Sequence, residues 1–209
     1  WHKNKEGTPT MGGLAFIIAA LITGAAACII IFLREGSKEI PALVLTLAMA
    51  VASGLIGMID DLAKLRKKQN EGLTAPQKFL LQLICSGVYL FGMSRFGQIT
   101  TALYIPYLDL AIDFGIAYYI IALLLLCGMM NSVNLTDGID GLASSVTLVV
   151  GLFYGAAALF HAAVPTPGIA AVSAIMAGAA AGFLIYNFYP ARVFMGDTGS
   201  LFFGGLVVG

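Results

Sequence analysis

Six stretches of this chain run 17 to 23 residues with almost no charge, and that pattern names the solvent before any motif is read. A helix crossing a bilayer needs about 20 predominantly apolar residues. Leu14–Leu33 supplies 20, Pro41–Ile59 19, Phe114–Met130 17, Leu142–Val164 23 and Gly168–Tyr189 22. Phe79–Gly97 is the weakest of the six because it holds Gln82 and Arg95, and Leu201–Gly209 starts a seventh. The runs are continuous rather than alternating, which excludes the strands of a membrane barrel. Hydrophobic residues make up 59% of the chain and charged ones 11%, against roughly 45–50% and about 25% for a soluble domain. Lipid must therefore be the outer solvent. The predicted fold is all-α and polytopic, with six full transmembrane helices and the start of a seventh in one integral domain over residues 1–209. Glycine and alanine clusters such as Gly24–Ala27 and Ala177–Gly182 suit close helix packing.

Counting spans assigns the loops to sides. One side holds Trp1–Gly13, Asp60–Lys78, Asn131–Gly141 and Pro190–Ser200, with Lys3, Lys5, Lys64, Arg66, Lys67, Lys68, Lys78 and Arg192. The other has Arg34, Lys38 and Arg95. The positive-inside rule puts the first set in the cytoplasm. On the opposite side, the Thr-, Ile- and Tyr-containing stretch Gln98–Asp113 predicts a short hairpin. Cys28, Cys85 and Cys127 sit in apolar runs and read as small hydrophobes, while His2 and His161 are isolated. The chain opens at Trp1 and closes nine residues into an apolar run, so a piece of a longer protein is expected, lacking a first helix and C-terminal helices.

The chemistry gathers on the cytoplasmic set. Three clusters carry it: Gly57–Lys64 (GMIDDLAK), Asn131–Leu142 (NSVNLTDGIDGL) and Phe194–Ser200 (FMGDTGS). Adjacent carboxylates at a membrane boundary repel unless a cation joins them. Hard oxygen ligands beside a phosphate-bearing substrate favour magnesium. Each cluster also has a plainer reading. Asp60 and Asp61 could close a helix at the interface, Asn131–Gly141 could be a turn built on Asx residues, and Asp197 or Ser200 could cap a helix N-terminus, itself a phosphate-favouring position. Arg66, Lys67 and Lys68 read first as positive-inside anchors; Lys64 and Lys78 bracket the loop beside Asp60–Asp61 and suit a diphosphate. Thr10 could cap the first helix.

Read together, GTPTMGG (Gly7–Gly13), NLTDGIDGLA (Asn134–Ala143) and FMGDTGS (Phe194–Ser200) resemble the polyprenyl-phosphate N-acetylhexosamine-1-phosphate transferase superfamily. The GTPTMGG form is similar to its muramoyl-pentapeptide branch. The resemblance implies a ten-helix fold on the bacterial plasma membrane, with a cytoplasmic cleft for UDP-MurNAc-pentapeptide, undecaprenyl phosphate and Mg2+, and a homodimer with no nucleic-acid partner. By motif match, Asp60, Asp61 and Asp197 are the expected catalytic residues, with Asp60 acting on the lipid phosphate and Asp197 the magnesium ligand. The expected substrate contacts are Lys5, Thr10, Lys64, Lys78, Asn131, Asn134, Asp137, Gly138, Asp140 and Phe194, with Asp140 near uracil and Phe194 stacking on it. The resemblance also implies a histidine-rich last cytoplasmic loop, and this segment stops before it. A transferase using UDP-GlcNAc is the nearest alternative. A cation transporter, which would place acids near mid-span, is a remote one.

Overall fold

The computed structural model describes residues 8–67, 71–160 and 166–209. Among the described residues seven α-helices follow one another: α1 (Gly13–Glu35), α2 (Ile40–Lys67), α3 (Ala75–Arg95), α4 (Ile116–Thr136), α5 (Leu142–Phe160), α6 (Pro167–Asn187) and α7 (Gly196–Val208). Five of them, α1, α2, α4, α5 and α6, are long and apolar enough to cross a membrane, so the chain is a multi-pass membrane protein. The sixth expected span, α3, is a 21-residue helix but is not among those five. Between α3 and α4 a small antiparallel pair forms, β1 (Ala102–Ile105) and β2 (Leu110–Asp113), in the register Ala102↔Asp113. The expected hairpin is therefore present.

Three boundaries differ from the hydropathy reading in a way that matters. The apolar run of α2 ends at Ile59, yet the helix continues to Lys67. At 1.5 Å per residue its 28 residues extend about 42 Å, well beyond a hydrocarbon core of about 30 Å. Asp60, Asp61 and Lys64 thus stand on helix, not loop. Likewise α4 carries Asn131 and Asn134 in its last turns before stopping at Thr136, and Lys78 lies in the first turn of α3 behind a capping box made by Thr74 and Gln77. Hydropathy stops at the first charges; the backbone hydrogen bonds of a helix do not.

The middle of the bundle is α7, which packs against α1, α2, α4, α5 and α6. Its Leu201, Phe202 and Phe203 are fully buried, as expected of a helix apolar on every side. Phe16 of α1 stacks on Phe203 at 4.5 Å between ring centroids and meets Phe183 of α6 edge-on at 5.1 Å. This aromatic knot seats the N-terminus of α7 at the same end of the bundle as the end of α2. Before α1, Pro9 and Gly12 pair with the approach to α7: the Phe194 N–H donates to the Pro9 carbonyl (3.0 Å) and the Gly12 N–H to the Phe194 carbonyl (2.9 Å). Gly12 occupies the cap position of α1, so Thr10, exposed and upstream, does not cap it.

Candidate active site

The end of α2, the start of α3, the end of α4 and the start of α7 meet at one point. One carboxylate oxygen from each of Asp60, Asp61 and Asp197 lies within 4.8 Å of the others. Lys64, one turn after Asp60 on α2, reaches Asp60 Oδ2 at 2.6 Å and Asp197 Oδ2 at 3.0 Å. Lys78 from α3 donates to the same Asp197 oxygen at 2.8 Å and to Asn134 Oδ1 at 3.2 Å. From α4, Asn134 Nδ2 donates to Asp197 Oδ1 (3.1 Å) and to Ser200 Oγ (2.7 Å). Asp197 is therefore the hub, touched by side chains of three other helices.

Three carboxylates facing two ammoniums leave this group one negative charge in excess. Burial pushes the Asp197 carboxyl up, but the hydrogen bonds it accepts from Lys78 and Lys64, together with the charge of Lys78, outweigh that cost. The acid is held well below the usual carboxylate range. It is a permanent anion at neutral pH. Hard oxygens gathered this closely, with cationic side chains already drawn to them, form a donor set that fits a divalent metal ion.

The three acids are not equivalent. Both oxygens of Asp61 are turned to α7: Oδ1 accepts the Asp197 N–H (3.2 Å), and Oδ2 accepts the Thr198 N–H (2.9 Å) and hydroxyl (2.7 Å). A carboxylate on α2 thus caps α7, satisfying amides that a helix start leaves open and meeting the positive end of its dipole. The self-cap expected from Asp197 or Ser200 is absent: α7 has no side-chain cap at its own N-cap position, Met195. Asp60, only 3% exposed, accepts the Leu73 N–H at 2.7 Å through Oδ1 and turns Oδ2 toward Lys64. Asp61→Ala is expected to cost about 0.5–2 kcal/mol of stability through the lost cap, read as a fall in the thermal midpoint; an unchanged midpoint would refute the capping role.

Two glycines permit this closeness. Gly57 lets α2 lie against the Asp197 carbonyl, into which a Cβ would collide. Gly196 has a φ of 70°, favoured by glycine, and a Cβ there would meet Asp61 Oδ2 at 2.7 Å.

A second polar group forms beside the first. Asp137 sits at the C-terminal cap of α4, half-buried, with exposed Gly138 following it. Asp140 Oδ2 accepts the Ala191 N–H at 3.0 Å, tying this turn to the segment that leads into α7. Asn187, missed in the sequence, is 1% exposed. Its Oδ1 accepts the Gly141 N–H and the Ser144 hydroxyl, both at 3.1 Å, and its Nδ2 donates to the Val193 carbonyl at 3.0 Å. The only signal in the sequence was an amide closing an apolar run. Asn187→Ala strands buried backbone groups, each worth about 1–3 kcal/mol, so a large drop in thermal midpoint is expected, and a drop within error would contradict it. Phe194 is half-buried and held by the Pro9–Gly12 pairing. Asn131 lies on α4 one turn before Asn134, and its amide faces Gln82 of α3 rather than Asp197. Lys5 lies outside the described residues.

A helical membrane bundle with acids and lysines gathered at one end has the donor types that suit phosphate-bearing substrates. The glycosyl transferase family 4 model matches residues 42–209, and the chain belongs to that family. A narrower pattern, phospho-N-acetylmuramoyl-pentapeptide-transferase signature 1, matches residues 5–17. Curated proteins of that name are similar along nearly the whole chain. The one from Bacillus subtilis (strain 168) is 40% identical over 207 residues, 99% of this chain and 61% of the relative. Those from Clostridium novyi (43%, covering 99% and 60%) and Staphylococcus haemolyticus (42%, covering 98% and 62%) are alike. The chain spans about three fifths of the length of these relatives.

Proposed function

We propose that this chain is the site-bearing part of a magnesium-dependent phospho-N-acetylmuramoyl-pentapeptide-transferase. It moves phospho-MurNAc-pentapeptide from UDP-MurNAc-pentapeptide to undecaprenyl phosphate, giving lipid I and UMP at the cytoplasmic face of the bacterial plasma membrane. The observation that carries this reading is the meeting of Asp60 and Asp197 with Lys64 and Lys78 at the bundle end where the Pro9–Gly13 segment docks. In the proposal α3 is a sixth crossing, since its Gln82 and Ser86 are fully buried and turned to α4 rather than to lipid.

An oxygen of the lipid phosphate attacks the β-phosphorus of the nucleotide sugar. The bond from that phosphorus to the bridging oxygen breaks, and UMP leaves with the bonding pair. Such transfers depend chiefly on positioning and charge neutralisation. With a second pKa near 6, the lipid phosphate is already largely ionised, so Asp60 acts by orienting rather than by removing a proton. Lys64 and Lys78 turn from Asp197 to the diphosphate oxygens. Magnesium, held by Asp197 beside Asp60, supplies charge neutralisation when bound. Asn134, Asp137, Gly138, Asp140 and Phe194 form the nucleotide-sugar side, and by motif match Thr10 and Lys5 are further substrate contacts.

The test is UMP release and lipid-linked product from the purified full-length protein, offered UDP-MurNAc-pentapeptide or UDP-GlcNAc with undecaprenyl phosphate. UMP only from UDP-GlcNAc would overturn the choice of substrate.

A further inference from the structure

Facing polar residues on α3 and α4 form a ladder of three rungs inside the bundle. Lys78 meets Asn134 at 3.2 Å. One turn deeper, Gln82 and Asn131 exchange both amide hydrogen bonds, Gln82 Nε2 to Asn131 Oδ1 at 3.2 Å and Asn131 Nδ2 to Gln82 Oε1 at 2.7 Å. A turn further, Ser86 Oγ lies 3.6 Å from Cys127 Sγ. Gln82 and Ser86 are fully buried. Asn131 Nδ2 also donates to the Cys127 carbonyl at 2.8 Å, so its amide has no hydrogen left for a substrate.

We propose that the Gln82–Asn131 amide pair is a positioning clamp: it sets the axial register of α3 against α4, so that Lys78 and Asn134 reach Asp197 together. This rests on the transferase reading above. Two amides that exchange both bonds fit in one register only. A slip of one residue would part them inside an apolar setting, where an unpaired amide is costly. Apolar side chains at the same positions would hold the helices together without fixing their offset. A misplacement near 1 Å can cost about 10²-fold in rate, so the clamp has leverage although it touches no reactant.

The experiment compares Gln82→Leu, Asn131→Leu and the double variant in the full-length enzyme, measuring thermal midpoint, kcat and KM. Each single variant should lower both stability and kcat/KM, the latter by about 10- to 100-fold. In the double variant neither amide is left unpaired, so stability should return while kcat/KM stays low. Recovery of both together, or a Gln82→Leu enzyme with unchanged kcat/KM, would overturn the clamp. Register has a readout that needs no turnover. Ser86→Cys places a thiol opposite native Cys127, and its disulfide formation in oxidised membranes should slow several-fold when Gln82→Leu is added. If the wild type releases no UMP from either nucleotide sugar, the transferase reading falls. The clamp is then judged by this crosslinking rate alone, and an unchanged rate would overturn it.

Discussion

Asp197→Asn is expected to lower kcat by about 10²–10³-fold, the scale seen when one preorganised electrostatic partner is taken from an active site, while the protein stays folded. Asparagine matches the shape of aspartate but not its charge. Lys64 and Lys78 both converge on Asp197 Oδ2, and in the variant they face an amide instead of an anion. The group then passes from three carboxylates against two ammoniums to two against two, and its excess negative charge disappears. Binding of a divalent cation should weaken accordingly, so the Mg2+ concentration giving half-maximal rate should rise. Measuring UMP release by the full-length variant across a magnesium series tests both effects. Activity within threefold of wild type at unchanged magnesium demand would remove Asp197 from the centre of the site.

Among the glycines of the described residues, Gly57 is the one where an added methyl group should be most damaging. The added Cβ collides with the Asp197 carbonyl and its carbon, which are backbone and have no rotamer to turn away. α2 and α7 must separate, at about 1–3 kcal/mol for overpacking, and the displacement falls one turn from Asp60 and on Asp197 itself. We expect a clear drop in thermal midpoint and about a 10²-fold loss of kcat/KM from misplacement on the order of 1 Å. Gly87→Ala is the matched control, since nothing lies within 4 Å of a Cβ there. That change should be neutral or slightly stabilising in a helix. Equal behaviour of the two variants would disprove the close approach as the cause.

Much of the architecture was legible in hydropathy, because long apolar runs in lipid have few alternatives to helix. The hairpin after α3 was legible from its residue types, and the gathering of Asp60, Asp61 and Asp197 at one end followed from counting spans. The helical extensions through Asp60–Lys67 and Asn131–Thr136 were hidden because hydropathy measures solvent preference, not backbone hydrogen bonding. The difference between Asp61 and its neighbour was hidden for another reason. Successive residues on a helix point about 100° apart, so a DD pair must address two partners, and only the packing of α7 against α2 says which. Gln82 looked like a flaw in a weak apolar run; paired across to Asn131, its amide is satisfied where it is buried. Asn187 had no mark beyond its place at the end of an apolar run.

The unbroken 28 residues of α2 act as a measuring rod. Because the helix does not bend into a loop before Asp60, the height of the carboxylates above the far end of the rod is a matter of residue count. Inserting one residue between Ile40 and Gly57 would raise them by about 1.5 Å and swing them by about 100°, away from the start of α7. Inserting four would nearly restore the bearing but lift the group by about 6 Å. No single insertion keeps both angle and elevation, so this stretch should tolerate exchanges of side chain far more readily than changes of length.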